Sequence, residues 1–222
     1  MNLTLFDLDH TLIPLDSDFE WGAFLVRIGV QDGTVFAQRN AQFYEDYKAG
    51  TLDIHAYVDF LTSDLRKHPR STIEAWHARY MESVILPEIH PQALALVQQH
   101  QTAGDLCAIV TATNSFVTRP IAQRFGIEHL IATELEQTPD GDFTGKIAGT
   151  PSFRAGKIVR VEQWLTAQGL DWQDFSSSTF YSDSLNDLPL LQQVSDPVAT
   201  NADARLLQHA QQQGWRTLNL FT

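Results

Sequence analysis

The apolar positions of the chain change period twice. Leu3, Leu5 and Phe6 crowd the amino terminus and read as a buried strand that runs into Asp7-Leu8-Asp9-His10-Thr11. From residue 15 to 86 the period is helical. Trp21, Phe24, Leu25 and Ile28 share one face; Phe36, Phe43, Tyr44 and Tyr47 mark a helix over 35–48; Ile54, Tyr57, Val58 and Leu61 mark another over 53–65. Ile73, Trp76, Tyr80 and Val84 continue the pattern to Ile85, and Pro87 closes it. Ser17 with Glu20, and Ser71 with Glu74, each fit a capping box.

Beyond residue 87, strands and helices alternate. A helix over 91–100 precedes a short apolar strand over 106–110 that ends in Thr111-Ala112-Thr113-Asn114. Ser115 is placed to cap the next helix, which reaches Phe125. A strand over 130–135 follows, then the turn Pro139-Asp140-Gly141-Asp142 and a strand over 143–147. A helix over 157–167, a strand over 179–181 leading to Asp183, a strand over 198–200, a helix over 204–212 and a strand over 217–220 complete the chain. This alternation predicts the α/β class: a Rossmann-like, doubly wound parallel sheet. Residues 1–14 and 87–222 would form the catalytic α/β core domain, and residues 15–86 an inserted all-helical cap domain.

Composition narrows the function. With 222 residues and 43% apolar content the chain can bury a sizeable core. Its net charge of −12 argues against nucleic acid and anionic membrane as partners. Cys107 is the single cysteine and sits in an apolar run, as a reduced internal thiol would. The amino terminus lacks the basic start of a signal peptide, and no apolar run approaches the roughly 20 residues that cross a bilayer. A soluble, cytoplasmic protein acting on a small metabolite is expected.

The chemistry starts at the first strand. A strand this apolar should not end in two carboxylates unless they have work to do, because an unpaired buried carboxylate is costly. Asp7 and Asp9, Thr111, and Asp183 with Asp187 all follow strands, and at the carboxyl edge of one parallel sheet they would converge. Lys157 opens a helix behind Gly156, where free backbone N–H groups favour an anion. Two carboxylates about 5 Å apart repel by roughly 3 kcal/mol at an effective dielectric near 20. Four of them with one lysine call for a hard cation, and Mg²⁺ takes carboxylates, water and substrate phosphate. The set therefore suggests metal-assisted phosphoryl transfer with a carboxylate nucleophile. Read singly, several members have plainer uses: Asp187 with Ser184 also fits a capping box, Thr111 fits a strand end, and Lys146, Arg154 and Arg160 compete with Lys157.

Taken in order, Asp7-Leu8-Asp9-His10-Thr11, Thr111, Lys157 and Asp183-Ser184-Leu185-Asn186-Asp187 resemble the four motifs of the haloacid dehalogenase superfamily. The resemblance implies that Asp7 attacks phosphorus and that Asp9 protonates the leaving oxygen and then activates water. It implies that Thr111, the Ala112 amide and Lys157 hold the phosphoryl oxygens, with Asn186 near that group. It implies Mg²⁺ on Asp7, Asp183 and the Asp9 carbonyl, with Asp187 in support. An acid at Asp9 is what the superfamily's phosphatases have and its dehalogenases lack.

The whole pattern is similar to the phosphoserine-phosphatase-type branch, and within it to bacterial members that act as histidinol-phosphatases. That resemblance rests on FDLDHTL, SDFEWGAFL, FYEDYKAG, TATNSFVT and the stretch from Gly149 to Lys157. Substrate-binding candidates are Asp16 and Asp18, which could meet a cationic substrate, and Trp21, Phe43 and Tyr44, which could stack on an imidazole. Asn114 borders the same space. Capping would equally explain Asp18, and core packing the aromatic residues. Phosphoserine is the alternative substrate, with Arg27 or Arg39 as the cation for its carboxylate. A phosphotransferase and a non-catalytic binding protein on the same fold are alternatives of other classes.

Overall fold

In a computed structural model, which describes Met1–Phe221, the core is a six-stranded sheet in the order β3-β2-β1-β6-β7-β8. The strands are β1 (Leu3–Phe6), β2 (Leu106–Asn114), β3 (His129–Thr133), β6 (Ser178–Ser182), β7 (Asp196–Thr200) and β8 (Arg216–Leu218). Every pairing in it is parallel. The chain winds from β1 outward through β2 to β3, then returns to the other side of β1 to build β6, β7 and β8. The sheet thus reverses direction between β1 and β6, the crevice where open α/β sheets bind ligands. Phe6 lies in register with Ile109 and Tyr181, so Asp7 leaves the sheet level with the end of β6, while β2 runs on beside it to Asn114.

Alternation along β1 and β2 fills both faces, as parallel strands require. Leu3, Leu5, Ala108 and Val110 pack against α7 (Ala155–Ala167), α8 (Leu188–Gln193) and α9 (Ala204–Gln213). Phe6, Cys107 and Ile109 face α5 (Pro91–Thr102) and α6 (Ser115–Arg124). The second cluster runs on without a break into the helices between β1 and β2: α1 (Ser17–Arg27), α2 (Val35–Ala49), α3 (Ile54–Thr62) and α4 (Arg70–Tyr80). No helix among the described residues is long and apolar enough to cross a membrane.

Several local expectations need correction. The cap of α1 is Asp16, whose carboxylate accepts from the Asp18 and Phe19 amides at 3.1 and 2.8 Å; Ser17 is the first helical residue. Both residues suit a cap equally, and in the fold the earlier one takes the position. No side chain caps α4, and Glu74 pairs with Arg70 at 3.1 Å instead of closing a box with Ser71. The helix over 71–85 changes character at Met81–Ile85, one turn of π-helix. β2 extends through the polar segment to Asn114, which caps α6 in place of Ser115. The strand expected over 130–135 divides: β3 stays in the sheet, while β4 (Leu135–Gln137) pairs antiparallel with β5 (Phe143–Ile147) as a separate ribbon. The last strand ends at Leu218, and α8 is a short helix the apolar pattern did not announce.

Candidate active site

The sheet's carboxyl edge gathers the expected acids around one lysine. Asp7, 4% exposed, follows β1 directly, and its main-chain N–H donates to Tyr181 O at 2.9 Å. Lys157, fully enclosed on α7, donates through Nζ to Asp7 Oδ1 at 2.8 Å and to Asp187 Oδ2 at 2.6 Å. Gly156 makes this possible: a Cβ there would lie 2.2 Å from Pro151 O, so the first turn of α7 closes only with glycine. Burial alone would lower the Lys157 pKa, but Asp187 and Asp7 outweigh it and hold the ammonium charged. Asp187 also accepts from Ser182 Oγ at 2.8 Å, and burial pushes its carboxyl up to about 6. Ser184 does cap the turn Leu185–Asp187, but Asp187 turns inward rather than completing a box.

Asp183 makes no direct ion pair with Lys157. It accepts from the Thr11 hydroxyl at 3.3 Å, and the same hydroxyl lies 3.4 Å from Asp7 Oδ2, so one hydroxyl bridges both acids. Burial, then repulsion by Asp7 and Asp187, raises the Asp183 pKa well above the carboxylate range. Burial likewise raises Asp7, against the pull of Lys157. Excess negative charge thus collects between Asp7 and Asp183, and the Asp9 carbonyl accepts no hydrogen bond among the described residues. No three His, Cys, Asp or Glu side chains form a ready cage among those residues. Two carboxylates and a carbonyl, with positions left for water and phosphate, are what Mg²⁺ accepts, so the donor set fits that ion.

Asp9 is held from two sides. Its Oδ1 accepts from the Ser17 amide at 2.8 Å, the first N–H of α1, and its Oδ2 accepts from Thr113 Oγ1 at 2.8 Å. Burial and then the Asp16 charge push its pKa up to about 6, in the range where a group can both give and take a proton. Thr111 is buried, and both it and Ala112 line the cavity above Asp7. Thr113 was not among the expected residues. It sits two positions after Thr111, and that strand period could have found it.

The cavity, about 530 Å³ including its mouth, runs from Asp7 up to the helices and is lined there by Asp16, Asp18, Phe43 and Tyr44. Burial, only partly offset by the Phe19 and Asp18 amides, pushes Asp16 up to about 6. Asp18 is raised further, by burial and then by Asp16 and Asp9; the Tyr57 phenol beside it favours its charged form. Asn114 does not face the cavity as a free amide: Nδ2 donates to Asp18 Oδ1 at 3.2 Å, and Oδ1 caps α6. Tyr44 meets His10, its hydroxyl 3.2 Å from Nε2, over the mouth.

Two further expectations are not met at the cavity. Trp21 is fully buried among Phe24, His77, Tyr80 and Phe116, a core position away from the ligand space; helical spacing marks a buried face without saying which layer it enters. Asn186 spends its amide on Tyr47 O at 2.8 Å, tying the loop after β6 to the end of α2 rather than reaching toward Asp7. Of the basic residues that competed with Lys157, none pairs with Asp7: Lys146 is exposed, Arg160 reaches Ala132 O, and Arg154 lies over Phe153. Asn40, Tyr47 and Tyr57 line the cavity and were missed. For Asn40 there was a signal, since it shares the helical stripe of Phe36 and Phe43.

A second tether came from outside the expected motifs. Asn201, in the left-handed conformation at φ 48°, donates through Nδ2 to His10 O at 2.9 Å and Thr11 O at 3.1 Å. Its Oδ1 accepts from the Leu220 amide at 2.7 Å. The loop that carries Asp9 is therefore held by the segment after β7.

Comparison with known proteins places this geometry. The sequence profile of the haloacid dehalogenase-like hydrolases matches residues 4–192. A histidinol-phosphatase of Neisseria meningitidis serogroup C is 44% identical over 218 residues, spanning 98% of both chains. The crystal structure of a protein with unknown function from Bordetella pertussis Tohama I superposes with a TM-score of 0.93 at 50% identity, over 99% of both chains. A substrate-bound phosphoserine phosphatase superposes with a TM-score of 0.69 over 99% of this chain and 92% of its own, and at 17% identity it shares the fold.

Proposed function

This chain belongs to the haloacid dehalogenase-like hydrolases, and we propose that within them it is a cytoplasmic, Mg²⁺-dependent phosphomonoesterase whose substrate is L-histidinol phosphate. One observation carries the substrate choice. The cavity wall where α1 begins presents Asp16 and Asp18, and no lysine or arginine is among the lining residues. An amino alcohol ester brings cationic nitrogen and no carboxylate to that wall. Phosphoserine would bring a carboxylate, which at 4–5 Å from either acid costs roughly 3–4 kcal/mol at an effective dielectric near 20. The two arginines that could have answered it lie elsewhere. Arg27 borders a separate surface recess with Phe24 and Ile28, and Arg39 is exposed, its guanidinium 4.6 Å over the Phe43 ring. The 44% identity to a histidinol-phosphatase supports the same reading.

In this reading residues 1–14 and 87–222 supply the reaction and residues 15–86 act as the cap. Asp7 attacks phosphorus; the bond to the alcohol oxygen breaks as an aspartyl-phosphate forms, and Asp9 gives its proton to that oxygen. Asp9 then takes a proton from the water that attacks the acyl phosphate, which releases phosphate and restores Asp7. The Thr111 hydroxyl, the Ala112 amide and Lys157 donate to the phosphoryl oxygens as negative charge moves onto them. Asp7, Asp183 and the Asp9 carbonyl, with Asp187 in support, would hold Mg²⁺, which would supply neutralising charge to the phosphoryl group.

The test is phosphate release from a panel of esters with Mg²⁺ present. We expect kcat/KM for L-histidinol phosphate to exceed that for phosphoserine at least tenfold, with one phosphate released per alcohol formed. The reverse order overturns the substrate. Alcohol formed without matching free phosphate turns the enzyme into a phosphotransferase.

A further inference from the structure

Asn40 is the one polar residue on the buried stripe of α2, between Phe36 and Phe43. It is 3% exposed and lines the cavity. Its orientation is fixed from one side. Nδ2 donates to Phe19 O at 3.1 Å, and α1 leaves room for the amide only because residue 22 is glycine: a Cβ there would stand 2.8 Å from Nδ2. The amide oxygen of the same side chain, Oδ1, is buried and has no hydrogen-bond partner among the described residues. An amide oxygen buried without a donor costs about 1–3 kcal/mol. A side chain this well placed and left half-satisfied marks the position of a donor the protein does not itself provide.

The surroundings say which donor. Asp18, 7% exposed, lines the same cavity, with Oδ1 engaged by Asn114 and the Tyr57 phenol beside the carboxylate. The rings of Phe43 and Tyr57 stand edge to face, 5.2 Å apart at 61°, and Leu52 and Ile54 complete an apolar lining. A flat ring bearing N–H groups uses both the apolar walls and the acceptors.

We propose that Asn40 and Asp18 form a recognition subsite for a planar nitrogen heterocycle, an azole whose N–H groups donate to Asn40 Oδ1 and to the Asp18 carboxylate. The inference rests on the phosphomonoesterase reading for the opposite end of the cavity, and it assigns specificity to a side chain on α2 that touches none of the reacting atoms. Asn40 sets which ester is held, not how fast phosphorus is transferred.

The experiment compares L-histidinol phosphate with phenyl phosphate, which has the ring but no nitrogen, in the wild type, Asn40→Leu and Asp18→Asn, and measures competition by free imidazole. We expect each substitution to raise KM for L-histidinol phosphate about 10–100-fold and to lower the preference for it over phenyl phosphate, as the ratio of kcat/KM values, at least tenfold. Imidazole should compete in the wild type and lose that effect in both variants. Parallel loss on both esters, or no change on either, overturns the subsite. Asp18→Asn keeps the shape of the side chain, so the test stands even if Asn40→Leu does not fold. A wild type that prefers phosphoserine refutes the substrate reading alone. In that case imidazole competition, lost in the variants, upholds the subsite, and its absence in the wild type overturns it.

Discussion

The two ends of the cavity are built to opposite rules. At the sheet, Lys157 answers two acids at once, with 2.8 and 2.6 Å contacts, and hydroxyls from Thr11, Ser182 and Thr113 take up further carboxylate oxygens. At the helices, Asp16 and Asp18 lean only on neutral groups: the amides that open α1, Asn114 and the Tyr57 phenol. The sheet end carries a cation of its own and is ordered before any ligand arrives. The helical end stores uncompensated acid that a ligand must satisfy. Chemistry that serves every substrate belongs at the first end, and discrimination belongs at the second.

The sharpest way to break this division is at Asp7. Asp7→Asn keeps the shape and removes the nucleophile, and we expect kcat to fall by at least about 10⁴-fold on every ester. Turnover within tenfold of wild type, measured as phosphate release, removes the nucleophile assignment. Next in size, Lys157→Met leaves Asp7 and Asp187 buried without their cation. Breaking a buried pair from one side costs roughly 3–5 kcal/mol, to be read from urea unfolding. A loss below about 1 kcal/mol would mean that the sheet end is not organised by that lysine.

Thr113→Val tests the hydroxyl that holds Asp9. We expect kcat to drop about 10–100-fold with KM little changed, and Thr113→Ser to recover activity to within about threefold, since only the hydroxyl is needed. Failure of serine to rescue would reduce Thr113 to a packing residue. The smallest effect is at Asp16. Its carboxyl, normally near 3.8, is pushed up to about 6 by burial, so its folded pKa is raised. A raised pKa favours folding below the unfolded value and loses that contribution as pH climbs through the folded one. Asparagine caps as well as aspartate and carries no charge. Asp16→Asn should therefore stabilise the ligand-free protein at pH 7.5 by about 1–2 kcal/mol, with little gain at pH 4, and weaken L-histidinol phosphate binding. Equal stability changes at both pH values would show that Asp16 is not held charged against its environment.

The same contrast explains what could be read from the chain beforehand. Asp7, Asp9 and Asp183 were legible because charged residues directly after apolar strands have few inexpensive structural uses, and parallel topology sends strand ends to one edge; Lys157 was legible from its place at a helix start behind Gly156. The helical end was harder. A helix period identifies Trp21 and Phe43 alike as buried, yet one enters the core with His77 and Tyr80 and the other lines the cavity. Asn40 was overlooked because asparagine in a polar helix reads as surface, although its spacing from Phe36 and Phe43 placed it inside. Asp16 displaced Ser17 as the cap because neighbouring residues of equal capping ability compete, and only the fold chooses between them. Asn201 lay beyond any local rule: its partners are 190 and 191 residues away in the chain.

That asparagine gives the carboxyl-terminal segment an unexpected standing. One side chain joins the turn after the first strand to the amide of Leu220, two residues from the end of the sequence. In engineering terms the segment up to Leu220 is not a free handle. Trimming the chain back past Leu220 or anchoring that segment to a fusion partner puts tension on the same amide that steadies the turn bearing Asp9. Tags and immobilisation chemistry placed there would be felt as lost turnover before they were felt as lost fold.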